Sequence, residues 1–136
     1  MAEIVDYHHV SLTVTDRERS TRWYCDVLGF EVQDDTIEGH WFRRTRLQHG
    51  SGTDGRIILT LTQHDDGSGD RFSAVRTGLD HLSLRVRNRR DLDELVGRMD
   101  ELGVPHSEVK SMGEGNAMVT VRDPDNIQLE VYSARS

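Results

Sequence analysis

The sequence predicts an α+β fold of two tandem βαβββ modules, and three observations carry that expectation. A strand-like segment is written twice, an amphipathic helical stripe follows each copy, and three further extended segments follow each helix. Tyr7-His8-His9-Val10-Ser11-Leu12-Thr13-Val14 returns as Leu79-Asp80-His81-Leu82-Ser83-Leu84-Arg85-Val86, an offset of 72 residues from His9 to His81. Each copy alternates apolar and polar residues, the pattern of a half-buried strand. Val10, Leu12 and Val14 take one face while His9, Ser11 and Thr13 take the other. In the second copy Leu82, Leu84 and Val86 oppose His81, Ser83 and Arg85. Both histidines therefore belong to the polar face of equivalent strands.

The remaining elements follow in order. Thr15 or Asp16 can cap the first helix, with Glu18 placed to close a capping box on Thr15. Ser20, Trp23, Tyr24, Val27 and Leu28 recur at helical spacing, and Gly29 supplies the stop. Three strands are then expected near 30–36, 40–48 and 56–64. A polar, non-periodic stretch at 65–77 reads as the linker between modules 6–64 and 78–133 of a single domain, 1–136. In the second module Asn88 caps a helix whose stripe is Leu92, Leu95, Val96, Met99 and Leu102, and Gly103 and Pro105 end it. Strands are expected near 107–112, 116–122 and 126–132, with Asp123-Pro124-Asp125-Asn126 a turn. Loops 49–56, 65–77 and 110–116 would shape any pocket.

Composition narrows the class of function. The chain has 136 residues, 30% of them charged, and a formal net charge of −7. That sign disfavours nucleic acid or an anionic membrane as partner. Arg43, Arg44 and Arg46, and Arg85, Arg87, Arg89 and Arg90, read as a solvated strand face and a helix entrance. No apolar run is long enough to span a bilayer, and no basic-then-apolar signal opens the chain. The single cysteine, Cys25, cannot form an internal disulfide, so a cytoplasmic location is the default expectation.

The last strand, Ile127-Gln128-Leu129-Glu130-Val131-Tyr132, puts Leu129 and Val131 on the core side and Gln128, Glu130 and Tyr132 on the polar side. If each sheet curls, its concave polar side gathers His9, His81 and Glu130. Two imidazoles and a carboxylate suit Fe(II) with open positions, and can also hold Mn(II), Ni(II), Co(II) or Zn(II). Taken singly, such residues are usually solvated; two histidines at matched repeat positions, with an inward glutamate, are a stronger signal. His8 has the wrong parity and reads as packing or surface. His40 and His49 sit next to loops without a partner pattern, and His106, after Pro105, reads as a turn residue. Trp23 and Tyr24 read as helix core, and Trp41 and Phe42 on the third strand as core or an aromatic pocket wall. Arg85 shares the His81 face and can meet an anionic substrate group or pair within the sheet. Cys25 has no partner histidine that would make it a nucleophile.

These residues resemble the vicinal oxygen chelate superfamily, which includes glyoxalase I, extradiol dioxygenases, methylmalonyl-CoA epimerases, and fosfomycin and bleomycin resistance proteins. The resemblance runs from about Tyr7 to Tyr132. It is clearest in His9-Val10-Ser11-Leu12-Thr13-Val14, Trp23-Tyr24, Leu28-Gly29-Phe30, Gly78-Leu79-Asp80-His81-Leu82 and Asp123 to Glu130. It implies paired modules in a curled, mostly antiparallel cup around one divalent metal, with His9, His81 and Glu130 at the ligand positions of strands one, five and eight. Glyoxalase I and the epimerases carry a fourth ligand on the fourth strand. Here the internal repeat matches Leu59-Thr60-Leu61 to Leu129-Glu130-Val131, so that position is Thr60, a poor ligand. A slip in register would bring His64 closer, since Thr60, Thr62 and His64 share a face; pocket lining or rim is the reading for them, as for Tyr132.

The implied activity is Lewis-acid chemistry on a small oxygenated molecule, dioxygenase-like or lyase/transferase-like, with no residue singled out as general base. An antibiotic-binding resistance protein without turnover is the alternative, and glyoxalase I a weaker one. The resemblance also implies a homodimer, with ligands from one subunit or from both.

Overall fold

A computed structural model of the chain describes residues 1–50 and 56–133. The chain divides into two compact units, Met1–Asp70 and Arg71–Ser136. The first unit runs β1 (Val10–Thr13), α1 (Arg17–Leu28), β2 (Glu31–Glu38), β3 (Phe42–His49) and β4 (Ile57–His64). The second repeats the order as β5 (Leu82–Val86), α2 (Arg89–Glu101), β6 (Lys110–Gly113), β7 (Asn116–Arg122) and β8 (Gln128–Ser133). Each unit is thus one βαβββ module holding its own four-stranded sheet, in order β1-β4-β3-β2 and β5-β8-β7-β6. Both sheets are open. The first and last strands of each module pair in parallel and the other neighbours antiparallel.

The helices form where the caps and stripes direct. Asp16, rather than Thr15, caps α1, accepting a bond from the Arg19 amide at 3.0 Å. Asn88 Oδ1 caps α2 through the Asp91 amide. Gly29 ends α1 at φ 76°, a left-handed conformation that costs a residue with a Cβ. Tyr24, Val27 and Leu28 are buried with Leu12, Leu47, Leu59 and Leu61 in the first unit's core. Leu92 and Met99 are buried in the second, where Val119, Val121, Leu129 and Val131 line the sheet. Leu102 departs from the expected stripe: it is the C-cap residue of α2 and lies 48% exposed.

Three boundaries differ from expectation. β1 and β5 begin one residue after their histidines, so His9 and His81 stand at strand entrances rather than within strands. Trp41 lies in the β2–β3 turn, at φ 76°, and not on the third strand. β6 starts only at Lys110: His106 bridges Val121 and the Ser107 amide bonds the Thr120 carbonyl, but Ser107 Oγ takes the Thr120 amide in place of a ladder bond. The end of the expected linker is tied to the second unit, the Phe72 amide donating to the Asp125 carbonyl at 3.0 Å. Of the expected loop at 49–56, residues 51–55 lie outside the described residues.

Candidate functional site

The parallel register of each module decides which side chains share the polar face, because directly paired residues point the same way. In the second unit Ser83 pairs with Glu130 and Arg85 with Tyr132, and β7 sets Thr120 beside Glu130. Glu130, 13% exposed at its side chain, is the centre of this face. Its Oε2 accepts from Ser83 Oγ at 3.2 Å and from the Tyr132 hydroxyl at 3.1 Å. Its Oε1 faces Gln128 Nε2 at 3.5 Å, and Gln128 Oε1 in turn accepts from Arg122 at 2.9 Å. The bond to Glu130 raises the Tyr132 phenol above its ordinary value of 10.0, since ionisation would set a phenolate against the carboxylate.

His81 closes on the same carboxylate, with Nε2 3.3 Å from Glu130 Oε2. Its other nitrogen is taken: Nδ1 donates to Asp80 Oδ1 at 2.6 Å. This bond is the first cause of an imidazole pKa raised above 6.5; burial opposes it, and Glu130 and then Asp80 add charge attraction. An imidazole tied at Nδ1 to a carboxylate presents Nε2 with a fixed orientation, the arrangement metal-ligating histidines use. Two donors each about 2.1 Å from one ion, at angles near 100°, stand about 3.2 Å apart. The 3.3 Å separation of His81 Nε2 and Glu130 Oε2 therefore fits neighbouring positions on one cation.

His9, in the first unit, is exposed, and its Nδ1 lies 2.8 Å from His8 Nδ1, one ring donating to the other. When His9 is the donor, Nε2 is its metal-binding atom. The repeat extends to this contact: His8 and Asp80 occupy equivalent places, each bonded to Nδ1 of the histidine that follows. Alternation put His8 on the opposite face from His9, and that reading missed a contact made before the strand begins. Among the described residues no three His, Cys, Asp or Glu side chains form a metal-holding group; within the second unit the structure brings together His81 and Glu130.

In the first unit Ser11 pairs with Thr60, as Ser83 pairs with Glu130. Thr60 is therefore the structural counterpart of Glu130, and no register slip brings His64 to that place. Thr60 and Thr62 are both buried; His64 is exposed at the end of β4, opposite Phe42. Trp41 is 68% exposed. Arg85 is exposed beside Tyr132. Arg44 departs from the solvated reading of its cluster: it is half-buried, donates from Nε to Thr62 Oγ1 at 2.8 Å, and stacks on the Phe42 ring at 4.4 Å.

The remaining candidates have structural work. His49 Nε2 meets the Leu28 carbonyl at 3.0 Å at the C-terminus of α1. His106 bonds Asp100 Oδ1 at 2.6 Å and the Ser107 carbonyl at 2.7 Å. Burial, then the charges of Asp26 and Glu31, push the Cys25 thiol up, away from nucleophilic reactivity.

Twin βαβββ modules with a backed histidine–carboxylate pair on a polar sheet face define a protein of the vicinal oxygen chelate kind. The chain belongs to the Glyoxalase/Bleomycin resistance protein/Dioxygenase superfamily, whose description matches residues 6–131. It is 26% identical over 131 residues to the catechol-2,3-dioxygenase of Bacillus subtilis (strain 168), covering 93% of this chain and 41% of that protein. The chain thus spans less than half the length of that relative. A glyoxylase/bleomycin resistance protein/dioxygenase domain from Frankia sp. EAN1pec is 31% identical, with a TM-score of 0.87 over 98% of this chain and 95% of that one. A mutant fosfomycin resistance protein from Listeria monocytogenes, complexed with Mn(II), shares the fold at 16% identity, with a TM-score of 0.68 over 97% of this chain and 92% of that one. No helix among the described residues is long and apolar enough to cross a membrane.

Proposed function

We propose that the protein is a metal-dependent enzyme acting on a small oxygenated molecule, with His9, His81 and Glu130 holding one divalent ion. The observation that carries this reading is the 3.3 Å approach of His81 Nε2 to Glu130 Oε2, with Asp80 behind the imidazole and Ser83 and Tyr132 behind the carboxylate. A half-exposed histidine and a carboxylate held at donor spacing, each oriented by its own partners, make a ligand pair rather than an isolated surface contact. When bound, the ion would supply Lewis-acid stabilisation to an oxyanion developing on a substrate that chelates through two neighbouring oxygens.

The chain's own residues would do the rest. Asp80 keeps the proton of His81 on Nδ1, and Ser83 and Tyr132 hold one rotamer of Glu130. Three protein ligands leave positions open for substrate. Fe(II), Mn(II), Ni(II), Co(II) and Zn(II) all suit these donors. Thr60 at the fourth-strand position speaks against the four-ligand pattern of glyoxalase I, and favours dioxygenase-like or lyase/transferase-like chemistry. A homodimer remains part of the proposal.

The test is metal content by elemental analysis on protein purified without chelator or affinity nickel, beside His81→Ala and Glu130→Ala. About one ion per chain in the parent, lost in both variants, is the expected outcome. An unchanged metal content in the variants, or none in the parent with no stabilisation by any added ion, would sink this reading and leave a drug-binding resistance protein as the better one.

A further inference from the structure

On the polar face of the first unit's sheet, cations and hydroxyls gather, and among the described residues no carboxylate forms an ion pair with them. β3 sets Phe42, Arg44 and Arg46 in a row; β4 sets His64, Thr62 and Thr60 opposite them, in that order; β1 adds Ser11 beside Thr60. The Arg44 guanidinium spends Nε on Thr62 Oγ1 and one face on the Phe42 ring. Thr62 Oγ1 is also 2.9 Å from Ser11 Oγ. Thr60 is 2% exposed, and its Oγ1 has no hydrogen-bond partner among the described residues. Asp34 lies opposite Arg46 in register, yet among the described residues neither Arg44 nor Arg46 has a carboxylate within ion-pair distance.

Each of these facts is costly alone. A guanidinium has five donors, and a half-buried one without an anion loses hydration that nothing replaces. A buried hydroxyl without a partner forfeits a hydrogen bond. A single oxyanion would answer both, accepting from the Nη groups of Arg44 and from Thr60. Phe42 and Thr62 fix the guanidinium plane beforehand, so little side-chain freedom is lost on binding.

We infer that this face is an oxyanion subsite, with Arg44 as its anchor and Thr60 and Arg46 as its other donors, and that the small molecule the protein takes carries a carboxylate or phosphoryl group. The inference rests on the proposed function for the existence of a substrate, but it uses none of the metal ligands.

The experiment is a calorimetric titration of inorganic phosphate, and separately of acetate, into the full chain after chelator treatment. Sodium chloride at equal ionic strength is the control. Binding of either anion above the chloride control, weakened about ten-fold or more by Arg44→Gln and less by Arg44→Lys, is the expected result. Thr60→Val should weaken it several-fold, and the anion bound more tightly names the group. Binding equal in Arg44→Gln and parent, or no binding beyond chloride, overturns the subsite. Far-ultraviolet circular dichroism checks each variant's fold; should Arg44→Gln not fold, unchanged binding in both Arg44→Lys and Thr60→Val overturns it instead. Metal content measured on the same preparations before chelator treatment separates the two readings. Anion binding that depends on Arg44, in a chain that held no metal before chelator treatment and takes none up when ions are added back, removes the metal reading and keeps the subsite. Normal metal uptake without anion binding does the reverse.

Discussion

Asp80 and His106 show how much one hydrogen bond decides at the scale of a residue. Asp80 orients the His81 ring, and His8 stands in the equivalent place beside His9. Replacing Asp80 by Ala is expected to weaken metal binding about ten-fold or more while leaving thermal unfolding of the metal-free chain little changed, as followed by metal titration and circular dichroism. His106 carries a pH dependence instead. Its bond to Asp100, then that to the Ser107 carbonyl, raises its pKa above 6.5 in the folded chain. A raised histidine pKa gives stability that is whole below the unfolded value and disappears as pH climbs through the folded one. His106→Asn should therefore lower Tm more at about pH 5.5 than at about pH 8.5; an equal loss at both would show that packing, not charge, is what the ring supplies. Sequence pattern picked out His9, His81 and Glu130 as candidates because they recur or alternate on strands. It could not expose Arg44, His8 or Asp80, whose roles depend on a partner one residue away or across a ladder.

Among elements, α1 is the one whose ends are best defined. Asp16 offers its carboxylate to the Arg19 amide, and Gly29 turns the chain out at φ 76°. Asp16→Ala should cost about 1 kcal/mol of unfolding free energy. Gly29→Ala should cost about 1–2 kcal/mol for the left-handed backbone. A Cβ at position 29 would also lie 3.3 Å from His49 Nε2, the atom that meets the Leu28 carbonyl, so the loss should fall in the upper part of that range. Denaturant melts of both variants measure it. Helix limits were readable to within a residue or two because caps are local chemistry. Strand starts were less so: His9 keeps the polar parity of Ser11 and Thr13, whereas parallel pairing of β1 begins only at Val10. Trp41 was misplaced for a related reason, since a bulky residue at positive φ in a turn contradicts the preference that assigned it to a strand.

For the molecule as a whole, the duplication was legible because one period of alternation, one helix and one stop recur at nearly constant spacing. If the proposed site holds a metal, its effect on the whole chain is a linkage effect: an ion at 100 times its Kd should add about 2.7 kcal/mol to stability. Thermal melts with and without the bound ion should show that gain in the parent and lose it in Glu130→Ala.

The pairing of Ser11 with Thr60 and of Ser83 with Glu130 makes the two modules comparable residue for residue at one place. At these equivalent places the two modules carry different residues, threonine in one and glutamate in the other. A carboxylate written back at position 60 would stand directly across the ladder from Arg46, with Arg44 one pair away on the same face. The guanidinium groups would take it before any cation did. A carboxylate there would be engaged by the arginines and would not stand free for a cation, so the arginines work against a fourth ligand at that place.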